Sequence, residues 1–266
     1  MVTRDELKIE RHGAVGTLEI HRPGKHNILT PECLDALTGA MEAMAEEDAV
    51  RVVVIRGAGT RAFSAGYDIA SLPASPTSEA EEALRKDPPL ERALKSIRRF
   101  PYPVVAMIHG LALGGGCELA VACDLRIGGR SARMGMPPAR LGLVYPFEGL
   151  RRFLRVLGFT RTLEVFLTAR QYDSASALRL GLLNEVVEDA DLESHTLGLA
   201  EEVAANAPLS LRGMKDALYR IADSLTISPE DEEAIRSLFV QSLQSEDMVE
   251  AKQAFMEKRA PRFRGR

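Results

Sequence analysis

The chain has no tryptophan, few aromatics and only three cysteines, and each scarcity removes a class of protein from consideration. An odd set of cysteines, Cys33, Cys117 and Cys123, makes no disulfide framework. They read as buried small hydrophobes in a reducing compartment. No CxxC or HxxxH spacing occurs, so no metal is expected. A formal charge of -4, with no basic run interleaved with aromatics, lacks the electrostatic footprint of a nucleic-acid binder. No apolar run reaches membrane-spanning length. The opening stretch MVTRDELKIERHG has no signal-type apolar core and carries acids that a transit peptide avoids, so a cytoplasmic location without membrane attachment is expected. Repeats and low-complexity tracts are missing too. The only linker-like stretch is Pro73–Thr77, followed by the acidic Glu79–Glu82.

What remains is an ordinary globular composition, 45% hydrophobic and 27% charged over 266 residues, ample for a large core. The first half alternates. Leu7–Arg11 and Val15–Ile20 read as a hairpin around Gly13, and Thr30-Pro31-Glu32 caps an amphipathic helix running to Glu47. Val50–Arg56, Val104–His109 and Asp124–Gly128 read as strands between helices, which predicts an α/β core. Beyond Phe147 the pattern turns helical, with helices expected over Ser174–Leu180, Leu192–Ala205, Leu209–Ile221, Pro229–Leu243 and Met248–Lys258. The expected division is a core over residues 1–200 and a helical region over 201–266. The apolar stripes of that tail suit packing against a neighbouring subunit.

The most informative segment is Ile108–Asp124, IHGLALGGGCELAVACD. A β-branched run leads into it, and Gly114–Gly116 then read as a strand-to-helix turn before an apolar helix carrying one acid, Glu118. Unpaired N–H groups at a helix start, approachable because the turn is glycine, suit an oxygen that develops negative charge. Glu118 lies one helical turn after Gly115, facing the same opening. It reads either as an acid of that pocket or as the partner of a base such as Arg126. A second donor is expected upstream in RAFSAGYDIASL, where Gly66 lets the chain bend so that the Tyr67 N–H points into a cavity and Asp68 opens a short helix. His109 reads as a strand-end histidine bonded to backbone.

Taken together, FSAGYDI, HGLALGGGCELA, CDLRI, RPGKHNILT, GLLNEVV and AFMEKRAPRF, in this order from Leu7 to Phe263, resemble the crotonase family, the enoyl-CoA hydratase/isomerase superfamily. The resemblance implies a ββα spiral core with a C-terminal helical trimerisation region, hence a homotrimer or a dimer of trimers. It also implies an acyl-CoA thioester whose carbonyl is gripped by the N–H groups of Tyr67 and Gly115, so that a thioester enolate is stabilised. No cofactor beyond the coenzyme A of the substrate is implied. The ligand contacts it implies are Lys25 and His26 along the pantetheine and phosphates, Ala65, Asp68 and Ile69 beside the first donor, and Phe255 and Lys258 at the adenine end.

The departures from the hydratase pattern carry the finer reading. Hydratases of this family have a second glutamate in the stretch that here reads MGMPPARLG, where this chain has Pro138, whose side chain neither accepts nor donates a proton. The next loop reads Val144-Tyr145-Pro146-Phe147-Glu148 where hydratases are small and glycine-rich. By its tyrosine the chain resembles the methylmalonyl-CoA decarboxylase branch. That implies an acyl-CoA lyase that loses carbon dioxide from a malonyl-type thioester, with Tyr145 holding the substrate carboxylate and a protonated Glu118 returning a proton. The alternatives are a hydratase or isomerase using Glu118 with Glu148, and a non-catalytic acyl-CoA binder.

Overall fold

The structure, a computed structural model, describes residues 6–68, 88–223 and 228–264. Its first element is the expected hairpin. Strands β1 (Leu7–His12) and β2 (Val15–Ile20) pair antiparallel, turning at Gly13, whose φ of 59° suits glycine. Helix α1 (Pro31–Glu47) starts where predicted. The Thr30 hydroxyl accepts from the Cys33 N–H at 3.1 Å, proline occupies the first turn, and Cys33, Leu34, Leu37 and Met41 form the buried face.

A repeating pattern then builds the core. Strand β3 (Val52–Gly57) is followed by β4 (Ala62–Ser64) and, after residues outside the described set, helix α2 (Pro89–Arg99). Next come β5 (Val104–Ile108), β6 (Leu111–Leu113) and α3 (Gly115–Ala122), and then β7 (Leu125–Gly129) and β8 (Arg133–Gly135). Each repeat places its first strand in one sheet and its second in another, so the chain winds as a spiral of ββα turns. The large sheet has the order β1-β2-β3-β5-β7-β10 and the small one β4-β6-β8-β9, with β9 (Gln171–Asp173) and β10 (Glu185–Val187) added later. From β2 onward the large sheet is parallel, and α1 and α7 pack on its two sides. This is why β3 and β5 read as unbroken apolar runs. Val53, Ile55, Val104 and Ala106 face one core cluster, while Val52, Val54 and Val105 face the other. The fold is the mixed α/β spiral that the resemblance implied.

Two helices not delimited in the sequence, α4 (Phe147–Leu157) and α5 (Phe159–Thr168), fold back against α3 and the short turn Pro138–Leu141. Helices α6 (Ser174–Leu180) and α7 (Leu192–Ala204) precede α8 (Pro208–Asp223), α9 (Pro229–Gln244) and α10 (Glu246–Met256). Residue 200 lies inside α7. Helix α8 leaves Leu209, Met214, Leu218 and Ile221 exposed, the apolar surface that the sequence assigned to a neighbouring subunit. No helix among the described residues is long and apolar enough to cross a membrane. The three cysteines are free and buried, and burial pushes each thiol up to about 12.

One polar residue fixes the loop before α1. Asn27, fully buried in the left-handed region, donates to the carbonyls of Ala58 at 2.9 Å and Ala62 at 2.7 Å, and accepts from the Arg22 N–H at 3.0 Å. Next to it, the His26 carbonyl accepts from the Ala65 N–H at 2.9 Å, and Leu29 and Tyr67 form a parallel bridge. Asn27→Ala would leave two carbonyls and one N–H unpaired in the interior. Chemical denaturation is expected to show a loss of about 2–4 kcal/mol.

Candidate active site

The site begins with two backbone amides. In the bridge to Leu29, the Leu29 N–H donates to the Gly66 carbonyl at 2.8 Å and the Asp68 N–H donates to the Leu29 carbonyl at 3.0 Å. The groups of Tyr67 between them therefore face the other way, as strand alternation requires. On that side lies Gly115, the first residue of α3, whose N–H has no acceptor one turn earlier in its own helix. The two amides are close: a Cβ built on Gly115 would stand 3.1 Å from the Tyr67 nitrogen, and one on Gly66 would stand 3.4 Å from the Gly115 nitrogen. This approach needs glycine. Gly66 has φ 111°, and a side chain there would meet the Leu113 carbonyl at 2.7 Å. Gly114 has φ 52°, and a side chain on Gly116 would overlap the Ser64 carbonyl.

Both amides line a cavity of about 480 Å³ walled mainly by apolar groups. Glu118 is buried in this wall and accepts from two donors: the Tyr145 hydroxyl donates a hydrogen bond to Oε2, and Arg152 Nη1 donates to Oε1. The other arm of Arg152, Nη2, lies 3.2 Å from both oxygens of Glu91 on α2. Burial holds the Tyr145 phenol well above its ordinary value, and Glu118 adds to the effect. Burial also raises Glu91, against the lowering pull of Arg152 and with further upward pushes from Glu118 and Glu148. Burial works against the Arg152 cation, but Glu118 and Glu91 outweigh it and raise Arg152. Gly149 completes the arrangement. A Cβ there would fall 2.4 Å from the Tyr145 ring and 2.9 Å from Glu118 Oε1, so the phenol and carboxylate occupy space that only glycine leaves open. The Tyr145 ring is backed by Phe166, with centroids 5.3 Å apart.

The structure brings Ala65, Tyr67, Gly115, Glu118, Tyr145 and Glu148 to this one cavity. Three pairings define the polar side of the site. The base that pairs with Glu118 is Arg152, while Arg126 turns to the Cys123 carbonyl at 2.8 Å. Tyr145 has a single O–H donor, and that donor is given to Glu118. Glu148 reaches the cavity wall but is paired with Arg151 on its own helix at 2.6 Å. Pro138 is buried in the facing wall.

The other predicted residues that are described do not line the cavity. Lys25 and His26 are exposed at the turn Pro23–Lys25, joined to the site only through the backbone bond from Ala65. The Asp68 N–H serves the bridge to Leu29, and Ile69 lies outside the described residues, as do Pro73–Thr77 and Glu79–Glu82. Phe255 and Lys258, at the end of α10, are exposed and do not line the cavity. His109 is half-buried and does not line it, and desolvation lowers its pKa. Among the described residues, no cluster of His, Cys, Asp or Glu is placed to hold a metal ion.

Reading the sequence missed Arg152, Glu91 and Gly149. Tyr145, Gly149 and Arg152 follow an i, i+4, i+7 spacing, a signal hidden by Pro146, which breaks the pattern before the helix starts at Phe147, and by the charges around them.

Comparison with known proteins gives consistent matches over almost the whole chain. The family model described as enoyl-CoA hydratase/isomerase matches residues 10–266. The chain is 32% identical over 252 residues to methylmalonyl-CoA decarboxylase of Escherichia coli strain K12, covering 94% of this chain and 95% of the other. A solved methylmalonyl-CoA decarboxylase in complex with 2-nitronate-propionyl-CoA superimposes with a TM-score of 0.91 at 30% identity, covering 98% and 99% of the two chains. An enoyl-CoA hydratase/carnithine racemase from Magnetospirillum magneticum, at 32% identity and 98% and 96% coverage, superimposes with a TM-score of 0.78.

The amide pair predicts its own test. Gly115→Ala fits the helical backbone but sets a methyl 3.1 Å from the Tyr67 nitrogen, against the amide pair. Turnover of an accepted thioester should fall about 100- to 1,000-fold, with the thermal midpoint nearly unchanged.

Proposed function

The chain belongs to the enoyl-CoA hydratase/isomerase family. From that premise we propose that it binds an acyl-CoA thioester with the carbonyl oxygen between the Tyr67 and Gly115 amides, and that it forms the thioester enolate by decarboxylating a methylmalonyl-type substrate. The observation that carries this reading is the state of Glu118. Each of its oxygens already holds a strong donor, Tyr145 on one and Arg152 on the other, while Pro138 stands where a second glutamate would complete a water-activating pair.

Decarboxylation needs less from the side chains than hydration. Breaking the bond to the carboxylate leaves its electron pair on the α-carbon, and that pair is accepted by the thioester carbonyl if the breaking bond stands perpendicular to the thioester plane. The protein then has to hold that geometry and stabilise the enolate oxygen, and two preorganised amides do the second. The bulky loop at Tyr145–Phe147 narrows the cavity around the acyl group and so restricts its orientation. Tyr145, fixed by Glu118, Gly149 and Phe166, gives that wall its rigidity. The higher TM-score to the decarboxylase complex than to the hydratase, at similar identity, supports the same choice.

A second reading, hydration or isomerisation with Glu148 beside Glu118, is favoured by one observation: Glu148 lines the same cavity. Its ion pair with Arg151 weighs against it.

Mass spectrometry of the protein incubated separately with methylmalonyl-CoA and crotonyl-CoA tests both readings. Loss of carbon dioxide without gain of water is expected, and hydration of crotonyl-CoA alone would establish the second reading. Tyr145→Phe removes a hydrogen bond to a buried carboxylate and is expected to slow decarboxylation about 10- to 100-fold, with substrate affinity changed far less. A variant with unaltered turnover would remove Tyr145 from the site.

A further inference from the structure

We propose that Glu91, in the first turn of α2, is the catalytic acid that holds and delivers the proton exchanged at the α-carbon of the thioester. This rests on the reading that the chain forms a thioester enolate, but not on decarboxylation being the way it forms.

One guanidinium, that of Arg152, is shared by two carboxylates, and the side chains of Glu118, Glu91 and Arg152 are only 5%, 15% and 16% exposed. Two carboxylates held on one guanidinium in a mostly apolar setting repel each other, and a proton on one of them relieves that repulsion. The hydrogen bonds decide which carboxylate takes that proton. Glu118 has a separate donor on each oxygen, whereas both Glu91 oxygens share one Arg152 nitrogen at 3.2 Å, near the limit of a useful bond. Glu91 loses less on protonation. Burial raises its pKa in the same sense, with Glu118 and Glu148 adding to the shift and Arg152 opposing it.

Placement then gives the proton a destination. Glu91 lines the cavity with Tyr67 and Gly115, and its neighbour Leu90 reaches within 3.5 Å of where a Cβ on Gly115 would stand. The first turn of α2 is thus part of the rim of the amide pair. The charged and titratable groups that line the cavities around Glu91 include Glu148, Arg151, Arg152 and Arg155 from α4, Glu118 from α3, Tyr145 from the loop before α4, Glu232 and Arg236 from α9, and Lys95 and Arg98 on its own helix.

The step balances simply. The enolate carbon forms a C–H bond with the Glu91 proton, the O–H bond breaks, and its electron pair stays on Glu91 as a carboxylate that Arg152 already faces. The enolate oxygen returns to a carbonyl, and water reloads Glu91. Run backwards, the ionised Glu91 takes an α-proton.

The test uses butyryl-CoA in deuterium oxide, with exchange of its α-protons followed by NMR. Wild type should exchange, and the rate should rise through a pH above the ordinary carboxylate range, because the ionised form takes the proton and burial raises the pKa. Glu91→Gln keeps an acceptor for Arg152 and is expected to lose exchange about 100-fold or more, with a flat residual pH profile. Its affinity for butyryl-CoA should stay within about 3-fold of wild type. Glu91→Asp, which restores a carboxyl, should recover part of the rate. A Glu91→Gln variant exchanging at the wild-type rate, or a wild type that binds butyryl-CoA without exchange, overturns the assignment alone. A wild type that does not bind the thioester overturns the acyl-CoA reading and this one with it.

Discussion

Arg152 is the group on which the chemistry of the cavity depends. Removing its guanidinium would leave Glu118 and Glu91 facing each other across a site with little water, and breaking such a buried pair costs about 3–5 kcal/mol. The cation ties together three elements that are distant in sequence, α2, α3 and α4, and so fixes the shape of the cavity as well as its charge. Gly149, one turn before Arg152 on α4, lets that helix approach closely enough for the contact to form. Tyr145 then takes up the remaining oxygen of Glu118, and its ring closes the wall.

The backbone side of the site has a different origin. Each turn of the ββα spiral brings a second-sheet strand alongside the previous one, and the chain leaves the strands β4 and β6 at neighbouring points. The amides of Tyr67 and Gly115 come together there because Gly66, Gly114 and Gly116 leave no side chains in the way. Asn27 holds the first of these exits in place, pinning Ala58 and Ala62 while its neighbours bond to Ala65 and Gly66. Fold and amide pair are thus one construction, and the polar wall opposite can vary without disturbing it.

That division explains what could be read in advance. The hairpin around Gly13, the cap at Thr30 and the apolar runs of β3 and β5 were legible because local chemistry and burial point the same way. The glycine turn before Glu118 was legible for a similar reason, since three consecutive glycines have few uses. The partners of Glu118 were not. Arg152 lies 34 residues further on, in a helix that also carries Arg151 and Arg155, and nothing local says which arginine turns inward. Arg126 was nearer in sequence and spatially irrelevant to the acid. Glu91 follows two prolines at the start of a charged helix, where an acid is the expected companion of the helix dipole and draws no notice. Pairings set by tertiary packing leave no local trace, and the polar wall is made of them.

Charge conservation links Pro138 to this wall. With the proposed proton on Glu91, Arg152 is left to pair with Glu118, and a substrate that carries its own carboxylate can enter. A glutamate at position 138 would restore a negative charge, and two like charges about 5 Å apart at an effective dielectric near 20 repel by roughly 3 kcal/mol. On the proposed course, the substrate anion becomes the enolate as neutral carbon dioxide leaves, and the enolate becomes the Glu91 carboxylate as the carbon is protonated. On this course one negative charge moves from the acyl group to the oxygen between the amides and then to the far arm of Arg152. A two-glutamate hydratase activates neutral water and has no such anion to accommodate, so the loss of one acid and the sharing of one arginine are two parts of the same adjustment.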